Sequence, residues 1–249
     1  RQAGELDGEQ AQRKLQNLYT RYERLTSPWS RSAEDVIRLK ELCGELVDLC
    51  RASSDVCMCM AAYLAGHSQA RRHAFAVAIV GILLGSDLGW VERLATIARA
   101  ALTMNLSQLD HHDEWAATRG YLTTVQQKRL RDHPTQSAAL LEQSPGTDPA
   151  WITAVAQHHE NLDGTGYPHA LQGEEIVPEA RVLRVADTWC ALVLHWQGRG
   201  KKTPRHALEV LASATRGHLD HQAFVALKKL MGAYPPGTFV RLANRETAL

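Results

Sequence analysis

The residues best suited to chemistry in this 249-residue chain stand together in His158-His159-Glu160-Asn161-Leu162-Asp163-Gly164-Thr165-Gly166-Tyr167-Pro168. Imidazoles beside carboxylates are metal-ligating types. Adjacent side chains on a helix point about 100° apart, so His158 and His159 converge only where a helix end aims at a shared centre. Gly164 and Gly166 permit backbone conformations closed to other residues and let a ligand approach. Pro168 stiffens the exit. Taken alone, a His-His-Glu triplet is equally the polar end of a surface helix; the longer string carries the information. Twelve histidines are many for this length, and His73, His133 and the pair His111-His112 bear on the same chemistry.

Helices must position these groups, because strand signals are nearly absent. Leu15, Leu18, Tyr19, Tyr22 and Leu25 recur at three- and four-residue steps and make one amphipathic stripe. A break follows at Ser27-Pro28-Trp29-Ser30. Ser32, with Asp35 three residues on, marks a helix start before Val36, Leu39, Cys43, Leu46 and Cys50. The pattern predicts further helices over 54–66, 71–85, 90–105, 123–143, 149–159, 178–196, 204–214 and 219–231. Two long connections remain, Leu106 to Leu122 with Asp110, His111, His112 and Asp113, and the Gly-rich 160–178 closed by Pro178. Function usually sits on such loops when helices hold their ends.

Apolar residues make up 45% and charged residues 22% of the chain, ordinary for a soluble globular protein. A formal charge of +1 gives no global electrostatic case for nucleic acid or an anionic membrane. Arginine outnumbers lysine, which favours planar contacts to phosphate or carboxylate. The five cysteines (Cys43, Cys50, Cys57, Cys59, Cys190) lie mostly on apolar helical stretches and read as reduced, buried, cytoplasmic thiols. Cys57 and Cys59 have no second cysteine pair to complete a metal site. The longest apolar run, Ala74 to Gly85, is too short to span a bilayer. The chain opens on Arg1-Gln2-Ala3-Gly4, without Met or a hydrophobic signal region, and is expected to be a piece of a longer cytoplasmic protein.

The string HHENLDGTGYP matches the signature HHExxDGxGYP, and on it the chain resembles the HD-GYP family of metal-dependent phosphodiesterases. The likeness runs over roughly 54–232 and takes in His133-Pro134, Gly173 with Ile176-Val177-Pro178, and the stretch Ala180 to Asp187. It implies an all-α HD-GYP-type bundle, preceded here by extra N-terminal helices over 1–53 and followed by a tail over 233–249. It also implies iron or manganese ions at the bundle centre and hydrolysis of cyclic di-GMP by metal-activated water. On this alignment the metal ligands are His73, His133, His158, His159 and Asp187. Gly164, Gly166, Tyr167 and Arg199 belong to the substrate groove.

The departures from the family pattern matter as much. The stretch Ala100 to Gln108 aligns with AALLHDIGK, so Met104-Asn105 replaces His-Asp and Ser107-Gln108 replaces Gly-Lys. Cys190 stands where a second aspartate follows, Trp196 where an arginine does, Gly198 where a tyrosine does, and Gln69 argues against a third ion. Asparagine lacks the charge that lets two divalent cations sit close together. A thioether suits iron or manganese poorly, and the lost lysine removes a cation from the phosphate. No catalytic residue is therefore assigned at Met104, Asn105 or Gln108.

Three histidines around one divalent ion, iron, manganese or another, are expected rather than a binuclear centre. The resulting expectation is a catalytically impaired domain that binds cyclic di-GMP or a protein partner. The resemblance names diguanylate-cyclase (GGDEF-type) proteins as partners through the GYP loop. The alternative is an active phosphodiesterase with an atypical site that recruits His111, His112 or Asp113. Residues 1–53 are left open between a homodimerisation arm, a signalling helix and a segment packed back on the core.

Overall fold

The structure, a computed structural model, describes residues 7–61, 63–66, 68–109, 123–194, 202–215, 217–232, 240–241 and 244–248. His111, His112, Asp113, Trp196, Gly198 and Arg199 lie outside the described residues.

Helix α1 (Gly8–Leu25) opens on Asp7, whose carboxylate accepts the Glu9 N–H, and buries Leu15, Leu18, Tyr19 and Tyr22. Helix α2 (Ala33–Ala52) is capped by Ser32, whose hydroxyl accepts the Asp35 N–H at 3.1 Å. After α3 (Ser54–Ala61) comes α4 (Gln69–Asp87), buried along nearly its whole length. A helix apolar on every side belongs at the centre of a bundle, and α4 is that centre. It packs most extensively on α5 (Leu94–Thr103) and α8 (Pro178–Val193). Gly81 and Gly85 set the α4–α5 approach, since a Cβ at Gly81 would come within 2.9 Å of the Ile97 side chain and one at Gly85 within 2.8 Å of Leu94.

Helix α6 (Thr124–Glu142) begins with a reciprocal box between Thr123 and Gln126. Helix α7 (Pro149–Gln157) follows with Asp148 as its cap and Pro149 in its first turn. Helices α9 (Pro204–Ala214) and α10 (His221–Met231) close the bundle. Among the described residues, apart from the short antiparallel pairing of Val240–Arg241 with Thr247–Ala248 and a single bridge between Asp163 and Gln172, the architecture is all-α. No described helix is long and apolar enough to cross a membrane.

One continuous apolar core runs from Ala11 to Met231. Helices α1 and α2 share it. The Tyr22 hydroxyl donates to the Leu102 carbonyl at 2.8 Å, and the Tyr19 and Tyr22 rings lie 5.3 and 5.8 Å from Phe75. Buried Arg71 donates to the Thr26 hydroxyl and carbonyl at 3.1 and 2.9 Å. The apolar stripe of α1 is thus covered by its own chain. Helix ends differ from the sequence pattern by a few residues. The difference that matters is α7, which stops at Gln157 and leaves His158 as its cap and His159 outside it.

Candidate metal centre

Proline at position 134 sits inside α6 and has no N–H for the carbonyl four residues back, Leu130. That carbonyl instead accepts the Nδ1–H of His133, at 2.6 Å. A carbonyl only accepts, so the bond fixes the tautomer and turns Nε2 of His133 away from its own helix. The same device recurs at the end of α7, where the final carbonyls have no partner within the helix. His158 Nδ1–H donates to Val155 O at 2.7 Å, again leaving Nε2 outward.

The two Nε2 atoms meet at 3.1 Å, and both side chains are essentially inaccessible to solvent. His159, released from helical geometry, turns to the same point. Its ring lies 4.2 Å from His158 and 5.0 Å from His133, and ligand nitrogens of the three lie within 4.8 Å of one another. Burial pushes the His158 imidazole down to about 4. Burial, and then the neighbouring His158, hold His159 well below the ordinary value. The neutral ring is the ligating form, and two Nε2 lone pairs facing each other at this distance repel unless a proton or a metal cation lies between them. Nitrogens about 2.1 Å from a tetrahedral ion stand about 3.4 Å apart, so the spacing of the His133 and His158 Nε2 atoms is compatible with both binding one ion, and His159 lies close enough to join them.

The other two sequence candidates pair with each other. His73 from α4 and Asp187 from α8 meet at 2.8 Å, Nε2 to Oδ1. The second oxygen of Asp187 lies 3.9 Å from His159 Nδ1 and 3.9 Å from an Arg184 nitrogen. Burial alone would raise the Asp187 carboxyl, but the His73 hydrogen bond and the surrounding histidines hold it far below the usual carboxylate range. The carboxylate therefore borders the histidine trio through His159 while one of its oxygens is engaged by His73.

Met104 and Asn105 close α5, both buried. The buried Gln108 amide nitrogen donates to Asn105 Oδ1 at 3.2 Å, so two of the residues that depart from the family pattern contact one another, while Gln108 Oε1 is buried without a hydrogen-bond partner among the described residues. The turn carrying them is pinned to α6, with the Ser107 hydroxyl donating to the His133 carbonyl at 3.2 Å.

The loop after the histidines wraps around buried Glu160. One carboxylate oxygen accepts the His169 N–H at 2.7 Å and the other the Leu171 N–H at 3.1 Å. Tyr167 N–H donates to the His159 carbonyl at 3.2 Å, and the Tyr167 ring stacks on His159 at 4.8 Å. Burial, then Asp187, push the Tyr167 hydroxyl up to about 12.

The glycines serve this loop's own packing. A Cβ at Gly166 would lie 2.3 Å from the Asn161 nitrogen, while Gly164 has φ +78° and packs against Gln172. Asp163 is held by Thr165 at 2.7 Å and by His218 at 3.2 Å. Sequence reasoning assigned no role to Glu160, although it stands in the motif. Arg131, whose guanidinium carbon sits 5.4 Å over the Tyr167 ring, gave no signal at all.

Residues 58–223 match the family model described as HD domain. The chain belongs to the HD domain family, as an HD-GYP member. It is 31% identical over 175 residues to a cyclic di-GMP phosphodiesterase of Pseudomonas aeruginosa, covering 69% of this chain and 42% of that protein. It is 29% identical over 174 residues to a 3'3'-cGAMP-specific phosphodiesterase of Vibrio cholerae, covering 70% of this chain and 36% of that one. This HD-GYP chain therefore spans well under half the length of these relatives. Its fold is shared with an HDG"Y"P protein from Bdellovibrio bacteriovorus, at a TM-score of 0.74 and 16% identity, over 93% of this chain and 74% of that one. The family match begins inside α3, while the fold likeness also takes in most of the sequence before it.

Proposed function

We propose that this HD-GYP domain holds one divalent metal ion on His133, His158 and His159, binds a cyclic dinucleotide of the cyclic di-GMP kind there, and signals by that binding rather than by cutting it. The observation that carries the reading is the pair of Nε2 atoms at 3.1 Å, each fixed outward by a backbone carbonyl on the other side of its ring. When bound, a divalent ion supplies Lewis acidity toward a phosphoryl oxygen. The protein's own part is to hold the His158 and His159 imidazoles neutral by burial, to orient His133 and His158 by their backbone carbonyls, and to keep His159 in place with the Tyr167 ring.

Hydrolysis is impaired in this reading because Met104-Asn105 offers no second-metal ligand set. Asn105 Oδ1 is engaged by Gln108, and Asp187 Oδ1 by His73. The names of the relatives support a cyclic dinucleotide as ligand. The GYP loop exposes Asp163, Thr165 and His169, which suits it to dock a diguanylate-cyclase-type partner. A homodimer through the N-terminal helices would have to use surfaces other than the apolar stripe of α1, which is buried.

The test is metal analysis of manganese- or iron-loaded protein, together with calorimetric titration and a turnover assay on cyclic di-GMP, beside His158→Ala/His159→Ala. One ion per chain and binding without turnover are expected. Metal-dependent turnover that the double variant abolishes would sink the proposal, as would two ions per chain.

A further inference from the structure

We propose that Arg131 is a phosphate-binding residue of this domain, its guanidinium held at the lip of the site by the Tyr167 ring to receive the phosphate oxygens of a phosphodiester. The inference rests on the ligand class proposed above and names the residue that recognises its charge.

Arg131 lies two residues before His133 on α6, with its side chain exposed. Its guanidinium carbon stands 5.4 Å over Tyr167, and Tyr167 in turn stacks on His159, so the cation is one ring removed from the histidine trio. Among the described residues no carboxylate pairs with it. Its neighbour Asp132 is taken by Lys128 at 2.6 Å. Two arginines of α8 are committed elsewhere. Arg184 donates to Asn161 and Thr188 at 3.0 and 3.1 Å, and Arg181 to the Ile176 carbonyl at 2.7 Å.

An exposed guanidinium on an aromatic face keeps its planar fork of N–H donors available, and that fork matches two phosphate oxygens at once. The position also answers a deficit. Gln108, where the family pattern has lysine, is buried and neutral, so the turn after Asn105 brings no cation of its own at that position.

Arg131→Gln and Arg131→Lys are compared with the unaltered chain, all manganese-loaded, by titration with two probes, cyclic di-GMP and inorganic pyrophosphate. Loss of one charge-assisted contact weakens binding by about tenfold or more, so Arg131→Gln is expected to weaken both probes by that factor with metal content unchanged. Arg131→Lys, which keeps the charge, is expected to recover most of it, a rescue that a merely structural role would not predict. Binding of both probes by Arg131→Gln at the unaltered affinity, or binding of neither by the unaltered chain, overturns the proposal. Pyrophosphate bound through Arg131 with no affinity for cyclic di-GMP supports Arg131 and overturns the dinucleotide reading. Cyclic di-GMP bound without regard to Arg131 does the reverse.

Discussion

Replacing Glu160 by alanine tests whether the loop that stacks on the metal centre is held by one buried carboxylate. Its oxygens accept two backbone N–H groups, from His169 at 2.7 Å and Leu171 at 3.1 Å, and the residue is 2% exposed. Each charge-assisted bond contributes about 1.5–3 kcal/mol, and an orphaned donor costs more the drier its surroundings. His169 is exposed and Leu171 half-buried, so water recovers part of the loss, and the low end of that range, about 3 kcal/mol for the pair, is the expected cost.

For a chain of this size that is a fall of about 6–12 °C in melting temperature. Glu160→Gln keeps one acceptor oxygen but turns an amide against the other N–H, so about half the effect is expected. Thermal unfolding followed by circular dichroism, with and without manganese, reads both variants. An alanine variant that melts within about 2 °C of the unaltered protein, or a glutamine variant less stable than the alanine one, would refute the reasoning.

Three further outcomes follow from the same geometry. Met104→His with Asn105→Asp restores the nitrogen and the charged oxygen of the family pattern on the turn pinned to α6; metal analysis should rise from one ion per chain toward two, and the metal-free variant should melt lower because it buries a charge without a cation beside it. Gly166→Ala places a Cβ 2.3 Å from the Asn161 nitrogen and 2.5 Å from the Glu160 Cα. Both atoms are backbone and cannot step aside, so metal content should drop while helical content by circular dichroism stays, and unchanged metal content would show that the loop tolerates the shift. Among the cysteines only Cys59 is partly exposed, and burial pushes Cys43 up to about 12. A thiol reagent at neutral pH should therefore label one site in the native protein and all five after unfolding, and rapid native labelling of more than one would contradict the packing described.

Much of the architecture was legible residue by residue. The stripe of Leu15, Leu18, Tyr19 and Tyr22, the Ser32 cap and the Thr123 start are local signals, written in spacing and hydrogen-bonding capacity within a turn or two. They recur as α1, α2 and α6. The family was legible for a similar reason, since HHENLDGTGYP is contiguous. The direction in which α1 faces was not legible, because an amphipathic stripe says that something covers it but not whether that is a partner or the same chain. Tyr22 reaching Leu102 decided that across 80 residues of sequence.

The site divides along the same line. Sequence alone determined which imidazoles and carboxylates were available, and that His133 precedes a proline. Tertiary structure decided how they are oriented and paired: the Leu130 and Val155 carbonyls turn the His133 and His158 rings so that their Nε2 atoms meet, and the packing of α4 on α8 sets His73 on Asp187. Only the folded chain brings Arg131 onto Tyr167 and Gln108 onto Asn105. Such contacts arise where helices distant in sequence cross, and no local pattern records which side chains will meet there.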